Sequence, residues 1–180
     1  TGITATPCDL ETLPQWDDRL YLSQCSDEPV EQRTSPLYYM NIDVGRGCPF
    51  GCTFCSSSLF WKRRYRLKSP QKIVEDILNW NKKFGIRSFR FSHDAFTVNK
   101  KLVCEVCDEI DRAGLDITWT CTSRVDCINE ELIDRMVRSG MDRIELGVES
   151  GSPRMQKIIN KNLDLNRLSE MVDVLLKYNV

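Results

Sequence analysis

Cys48, Cys52 and Cys55 stand within eight residues at the spacing C-x3-C-x2-C, inside the stretch GRGCPFGCTFCSSS from 45 to 58. Thiolates are soft ligands that select zinc, copper(I) or iron–sulfur clusters. Protein shells around zinc or such clusters generally close with four ligands, so the stretch is one ligand short. The rest of the chain offers few substitutes. His93 is the only histidine, and Cys104 and Cys107 fall in a predicted helix, where they read as ordinary helix residues with Cys107 on the apolar stripe. Arg46, Gly47 and Gly51 frame the loop, and glycines there let the backbone bend around a bulky inorganic group.

The elements that must position this loop follow a regular alternation. An apolar run over 38–44 leads into it. After it, Ser69 and Pro70 open a helix with the stripe Ile73, Ile77, Trp80 and Phe84, closed by Gly85. A strand over 86–92 follows, then a helix capped by Asn99 with Leu102, Val103, Val106, Cys107 and Ile110 on one face, ended by Gly114. The unit repeats with a strand over 115–121, a helix capped by Asn129 carrying Leu132, Ile133, Met136 and Val137, and a stop at Gly140. A strand over 143–148 alternates Ile144, Leu146 and Val148. Ser152 and Pro153 open a short helix, and 165–178 forms another through Leu168, Val172, Leu175 and Leu176.

The closing glycines at 85, 114 and 140 lie 29 and 26 residues apart, the length of a strand-plus-helix unit. Alternating β and α elements imply a parallel sheet with right-handed crossovers. The fold class is therefore α/β, with about four βα units, either half of a (β/α)8 barrel or an open doubly wound sheet. Both architectures gather ligands where the carboxyl ends of the strands meet the following loops. The cysteine loop, His93 and Asp94, Ser123, Arg124 and Asp126, and Gly147, Glu149 and Ser150 all fall there.

Composition excludes some classes. The 180 residues carry 25 basic and 26 acidic side chains, with 41% hydrophobic residues, so no global field recruits nucleic acid or an anionic membrane. No run of 18 apolar residues exists, and 1–14 has neither a basic n-region nor an apolar h-region. A cytoplasmic, reducing location is expected. Nine cysteines are an odd number for a disulfide framework. Residues 1–36, with four prolines, read as a linker or extended arm. The first residue is Thr, so the chain is expected to be a piece of a longer polypeptide.

The cysteine loop, with Phe54 just before the third cysteine, resembles the signature of the radical S-adenosylmethionine (radical SAM) superfamily. FSHDAFT at 91–97, TSRVD at 122–126 and ELGVESG at 145–151 are similar to that family's segments after the next three strands, so the likeness covers the chain from about residue 37. It implies a partial TIM-like barrel over 37–180, with four of six βα units, and a [4Fe-4S] cluster on Cys48, Cys52 and Cys55. The fourth iron would take the amino and carboxylate groups of SAM, which supplies the missing ligand.

In the same way the resemblance implies Asp94 at the SAM amino group, with His93 standing where an acid is often found. It puts Arg124 and Ser123 at the carboxylate, Glu149 and Ser150 at the ribose, and Phe54 near the adenine. The activity implied is reductive cleavage of SAM to a 5′-deoxyadenosyl radical, with an electron donor of the flavodoxin or ferredoxin type and a small-molecule or peptide substrate. More narrowly, DLETLPQWDDRLYL at 9–22 looks like the connector from an N-terminal cobalamin-binding domain, which implies cobalamin-dependent methylation or another radical modification of a substrate. The alternative within the same broad group is an RNA methylthiotransferase-like enzyme.

Other readings stand beside these. The triplet could belong to a zinc or iron–sulfur structural module. Asp94 and Glu149 could cap the elements after them, Arg124 and Asp126 could form a surface ion pair, and His93 could be a satisfied loop histidine. Lys62, Arg63, Arg64, Arg66 and Lys68 form a solvated face or a contact for an anionic substrate such as RNA. Trp61 and Trp119 read as packing groups. With a fifth strand expected only near Val180, the last strand present would expose an unpaired edge, and the isolated piece would be weakly active or inactive.

Overall fold

The structure, a computed structural model, describes residues 8–14 and 39–180; most of the expected arm over 1–36 lies outside the described residues. Strand β1 (Met40–Asp43) is followed by a two-residue strand β2 (Gly45–Arg46), the cysteine loop, helix α1 (Ser56–Phe60) and a short β3 (Arg66–Leu67). Helix α2 (Pro70–Phe84), β4 (Ser88–Ser92), α3 (Lys100–Arg112), β5 (Thr118–Ser123), α4 (Glu130–Arg138), β6 (Met141–Leu146), α5 (Pro153–Ile158) and α6 (Leu165–Lys177) complete the order. Strands pair in parallel as β1-β4-β5-β6, the sheet expected from the βα alternation.

The helix starts follow from local chemistry. The side chains of Ser69, Asn99 and Asn129 accept hydrogen bonds from the backbone N–H groups of Lys72, Leu102 and Leu132, satisfying donors the first turn cannot pair. At the far end of α4, Gly140 takes φ +100°, and a Cβ there would fall on the Ile117 carbonyl. Only glycine lets the chain turn so closely under β5.

The sheet has two unlike faces. Phe89, Phe91, Trp119 and Cys121 point to the helices and join Ile73, Ile77, Val103, Val106, Ile133 and Met136 in one buried core. Phe91 and Trp119 stack at 4.6 Å, and the Trp119 indole donates to the Ser139 carbonyl at 3.0 Å. Each such buried side chain contributes on the order of 1.5–3 kcal/mol. The other face is polar. Asn41 and Asp43, Ser88, Arg90 and Ser92, Thr118, Thr120 and Thr122, and Arg143 and Glu145 lie in register across it, although closed (β/α)8 barrels usually fill that side with Val, Ile and Leu. Arg90 pairs with Glu145 at 2.6 Å, and Thr122 donates to the same carboxylate. Tyr39, just before β1, donates to Asp142 on β6 at 3.3 Å and lies under Arg143. The curl of the sheet brings its two edges within reach of each other.

Several expected boundaries shift. The strands expected over 86–92, 115–121 and 143–148 are Ser88–Ser92, Thr118–Ser123 and Met141–Leu146, because the residues after Gly85 and Gly114 are used in leaving the helix. Pairing of β6 starts at Met141 opposite Trp119, with a bulge before Thr120. The basic run is not one solvated face: Lys68 is buried against Asp76 at 2.9 Å, because β3 carries it back under the sheet edge to donate its N–H to the Val44 carbonyl. Among the described residues no helix is long and apolar enough to cross a membrane.

Candidate active site at the cysteine loop

Gly45–Arg46 and Arg66–Leu67 form an antiparallel ribbon that clamps the two ends of the cysteine segment. Inside it Gly47 has φ +84°, and a Cβ there would meet the Arg64 carbonyl. Cys52 is buried, and Cys48 and Cys55 are half-buried. The Cys55 N–H donates to the Cys52 carbonyl at 3.2 Å, and α1 starts one residue later.

Burial pushes the Cys48 thiol above its ordinary value; a hydrogen bond from the Phe50 backbone opposes this, and Asp94, Cys55 and Cys52 add to the rise. The three sulfurs therefore share one local field, and thiolate ligation here must release a proton. Among the described residues no three such side chains stand close enough to hold a single metal ion. A cubane asks something different: each thiolate sits on its own iron, so its ligands stand further apart. A donor set of three soft sulfurs on one loop fits that group.

Two of the three later rim loops touch this segment directly, and the third reaches it through Lys161. From the loop after β4, the Asp94 carboxylate accepts from Ser57 of α1 at 2.5 Å. From the loop after β5, Arg124 donates to Cys52 Sγ at 3.6 Å and lies 3.9 Å over the Phe50 ring. From the segment after β6, Glu149 accepts from Lys161 Nζ at 3.0 Å, and that ammonium lies 5.9 Å from the Phe54 ring centre. Two further bonds join the segments, from Thr53 N–H to the Ile159 carbonyl at 3.0 Å and from Asn160 to the Gly51 carbonyl at 2.9 Å.

Arg124 and Asp126 do pair, through Nε at 2.9 Å and Nη2 at 2.7 Å, but this is no surface pair. The Arg124 side chain is 8% exposed against 39% for Asp126, because Phe50 and residue 161 close over it. Nη2 also donates to the Lys161 carbonyl at 2.9 Å. With Nε, both Nη2 protons and one Nη1 proton engaged, one of its five N–H donors is left for a ligand. For Asp126, burial works to raise the carboxyl, but the hydrogen bonds and charge of Arg124 outweigh it and hold the group below the usual range.

The two serines are placed differently. Ser123 shares the helix-facing side of β5 with Trp119 and Cys121, and its buried hydroxyl is hydrogen-bonded to Thr97 and to the Arg124 carbonyl. Ser150 lies at the rim, where its hydroxyl accepts from the Ser152 N–H. Nδ1 of His93 accepts from Ala95 N–H at 3.0 Å, while among the described residues the buried Nε2 has no hydrogen-bond partner. Burial lowers its pKa to about 4. Beside His93 and Asp94 opens a cavity of about 500 Å3 walled by Arg46, Trp61, Arg90, Ser92 and Thr122.

Three groups escaped the sequence reading. Lys161 bridges Glu149 and Phe54, and its only sequence signal is its place between Asn160 and Asn162, which both take left-handed backbone. Gln156 is buried and donates to the Val148 and Ser150 carbonyls at 2.8 and 2.6 Å, fixing the turn that carries Glu149. Glu149 itself has φ +64°, a conformation that non-glycine residues hold only where surroundings impose it. Ser57, an exposed-looking serine in SSS, ties α1 to Asp94.

Comparison with known proteins gives the family and the fold. The family model for the Radical SAM superfamily matches residues 42–180. An uncharacterized methyltransferase of Pyrococcus horikoshii is 36% identical over 77% of this chain and 30% of its own. An anaerobic magnesium-protoporphyrin IX monomethyl ester cyclase of Rubrivivax gelatinosus is 30% identical over 89% of this chain and 27% of its own. This chain thus spans less than a third of either relative. In fold it is similar to the radical S-adenosylmethionine methyltransferase TsrM of Kitasatospora setae, solved with cobalamin and a [4Fe-4S] cluster bound, at TM-score 0.69 and 14% identity over 79% of this chain and 29% of that one. The chain belongs to the radical SAM superfamily.

Proposed function

We propose that the chain is the SAM-activating half-barrel of a larger radical SAM methyltransferase. Cys48, Cys52 and Cys55 would hold the [4Fe-4S] cluster, and SAM would lie against Asp94, Arg124, Glu149, Ser150 and Phe54, with Ser123 supporting Arg124 from behind. The observation that carries this reading is that Asp94 and Arg124 contact the cysteine segment directly and Glu149 reaches it through Lys161. A structural metal module has no need of carboxylates and a guanidinium gathered from three successive strands.

When bound, the cluster and SAM supply a one-electron reductive opening of the sulfonium, chemistry that belongs to the cofactors. The protein's own residues bind and orient. Asp94 presents a carboxylate to a cationic amino group, and Arg124 offers its remaining N–H and its charge to a carboxylate. Glu149, held by Lys161 and by the left-handed turn that Gln156 fixes, presents its second oxygen to hydroxyl donors.

The methyltransferase relative and the cobalamin-bound fold of TsrM support methylation with cobalamin carried on another domain, to which residues 1–36 would lead. The polar concave face, with the Arg90–Glu145 pair and Thr122, suits a polar small molecule or peptide as substrate. Among the described residues all eight cysteines carry free thiols, which suits the reducing cytoplasm and a protein electron donor.

Anaerobic reconstitution tests this reading. The chain should take up on the order of four irons and four sulfides with broad visible absorbance, and Cys52→Ala should lose them. One zinc and no iron under those conditions would overturn the assignment.

A further inference from the structure

Lys161 carries a charge into a place where the fold alone has little use for one. Its side chain is 6% exposed, and its ammonium pairs with Glu149 at 3.0 Å, whose side chain is 41% exposed. Burying an ammonium against a half-hydrated carboxylate is a poor route to stability, and an apolar side chain of similar volume would serve the fold at least as well. The pair calls for another explanation.

The backbone around it gives one. Lys161 lies between Asn160 and Asn162, at φ +52° and +53°, in the left-handed region that asparagine tolerates. The N–H groups of Lys161 and Asn162 both donate to the Gln156 carbonyl, at 3.1 and 3.2 Å. The same Gln156, 2% exposed, spends its side-chain amide on the Val148 and Ser150 carbonyls either side of Glu149. One buried glutamine thus sets the spacing between the turn that carries the ammonium and the turn that carries the carboxylate. Asn160 ties the first of these turns to the Gly51 carbonyl in the cysteine segment at 2.9 Å. Residue 161 also faces the other way, because its carbonyl accepts from Arg124 Nη2 at 2.9 Å. Two groups of the site therefore meet in one residue, Glu149 on its side chain and Arg124 on its main chain.

We propose that Lys161 is a positioning residue whose ammonium aims Glu149 at the ribose of SAM, while its main-chain carbonyl separately aims Arg124 at the carboxylate end. The proposal rests on the SAM assignment above and divides that site into two independently held halves. Held on Oε1, Glu149 keeps Oε2 for a ligand; released, it turns freely to solvent. Partners that orient a metal ligand change affinity by about 10–100-fold without touching the metal, and an effect of that order is expected here.

The test uses the full-length protein with its cluster reconstituted and three probes in equilibrium dialysis. These are SAM, methylthioadenosine, which keeps the ribose and adenine, and methionine, which keeps the amino and carboxylate groups. Lys161→Met should weaken SAM and methylthioadenosine at least tenfold and leave methionine within twofold, with iron content unchanged and the urea midpoint at or above wild type. Lys161→Arg should recover most of the loss. Glu149→Gln combined with Lys161→Met should bind SAM no more weakly than Glu149→Gln alone, since the ammonium acts only through that carboxylate. Equal loss for all three probes, or loss of iron or of the fold in Lys161→Met, would make the ammonium a structural element and overturn the proposal. Unchanged SAM affinity, or additive losses in the double variant, would overturn it as well. Wild-type protein that takes up iron yet binds none of the probes would sink the SAM assignment itself, and the proposal with it.

Discussion

Removing Asp126 should cost more stability than removing its partner Arg124, although Asp126 is the more exposed of the two. The Asp126→Ala change leaves a guanidinium whose side chain is only 8% exposed, with the Lys161 carbonyl and the Cys52 thiol as its remaining acceptors. Breaking a buried pair so that one charge stays buried costs about 3–5 kcal/mol, and the 39% exposure of Asp126 places this pair at the low end, about 3 kcal/mol. The Arg124→Ala change leaves a carboxylate that water can reach. It loses a hydrogen bond to the Lys161 carbonyl and the stack on Phe50, about 2 kcal/mol together. Arg124→Met with Asp126→Ala removes both charges and keeps most of the volume, so the double variant should be more stable than Asp126→Ala alone. Urea unfolding followed by tryptophan fluorescence measures all three, with the midpoint moving and the slope constant. If Arg124→Ala costs more than Asp126→Ala, or if the double variant costs the sum of the two, the guanidinium is not the charge that the fold confines.

Two other expectations follow from the site. His93 stays neutral in the fold down to about pH 4, because burial disfavours its charged form, whereas an unfolded histidine takes its proton near pH 6.5. The unfolded state therefore binds the extra proton between those values. The stabilisation is complete above about pH 6.5 and is lost as pH falls toward 4, by up to roughly 3 kcal/mol. His93→Asn should flatten that slope, and an unchanged slope between pH 7 and 5 would show the ring is hydrated. Gly47→Ala forces a side chain into φ +84° and onto the Arg64 carbonyl, at a cost of more than about 1–2 kcal/mol. Because the strain sits inside the cysteine loop, iron per chain after reconstitution should fall well below wild type, and full loading would mean the ribbon can slide.

Much of this was legible because the signals are local. Ser69, Asn99 and Asn129 cap their helices one residue before the first turn, the glycines at 85, 114 and 140 stop them, and the apolar periods of α2, α3 and α4 bury most of the side chains they predict, with Trp80, Phe84, Leu102 and Val137 left half-buried. The cysteine triplet and the rim positions of Asp94, Arg124 and Glu149 followed from spacing and resemblance. What escaped depends on distant pairings. Nothing near Gly45 announces that it will pair with Leu67, so the burial of Lys68 was invisible. Lys161 is twelve residues from the glutamate it meets, and two left-handed asparagines set its direction, not a periodic pattern. Ser123 was placed at the rim by its position in the chain, but strand alternation turns it toward the helices, which a shift of two residues in the expected strand concealed.

The division of the sheet into an apolar convex side and a polar concave side separates two kinds of change. Substitutions at Phe89, Phe91, Trp119 or Cys121 act on the core and are screened by folding before they can alter chemistry. Arg90, Ser92, Thr122, Arg143 and Glu145 bear little of that load, so they can be exchanged for one another or for new hydrogen-bonding groups while the barrel and its cysteine loop stay intact. A scaffold built this way can acquire a new substrate by repainting one surface, and libraries confined to those five positions are where such a change should be sought first.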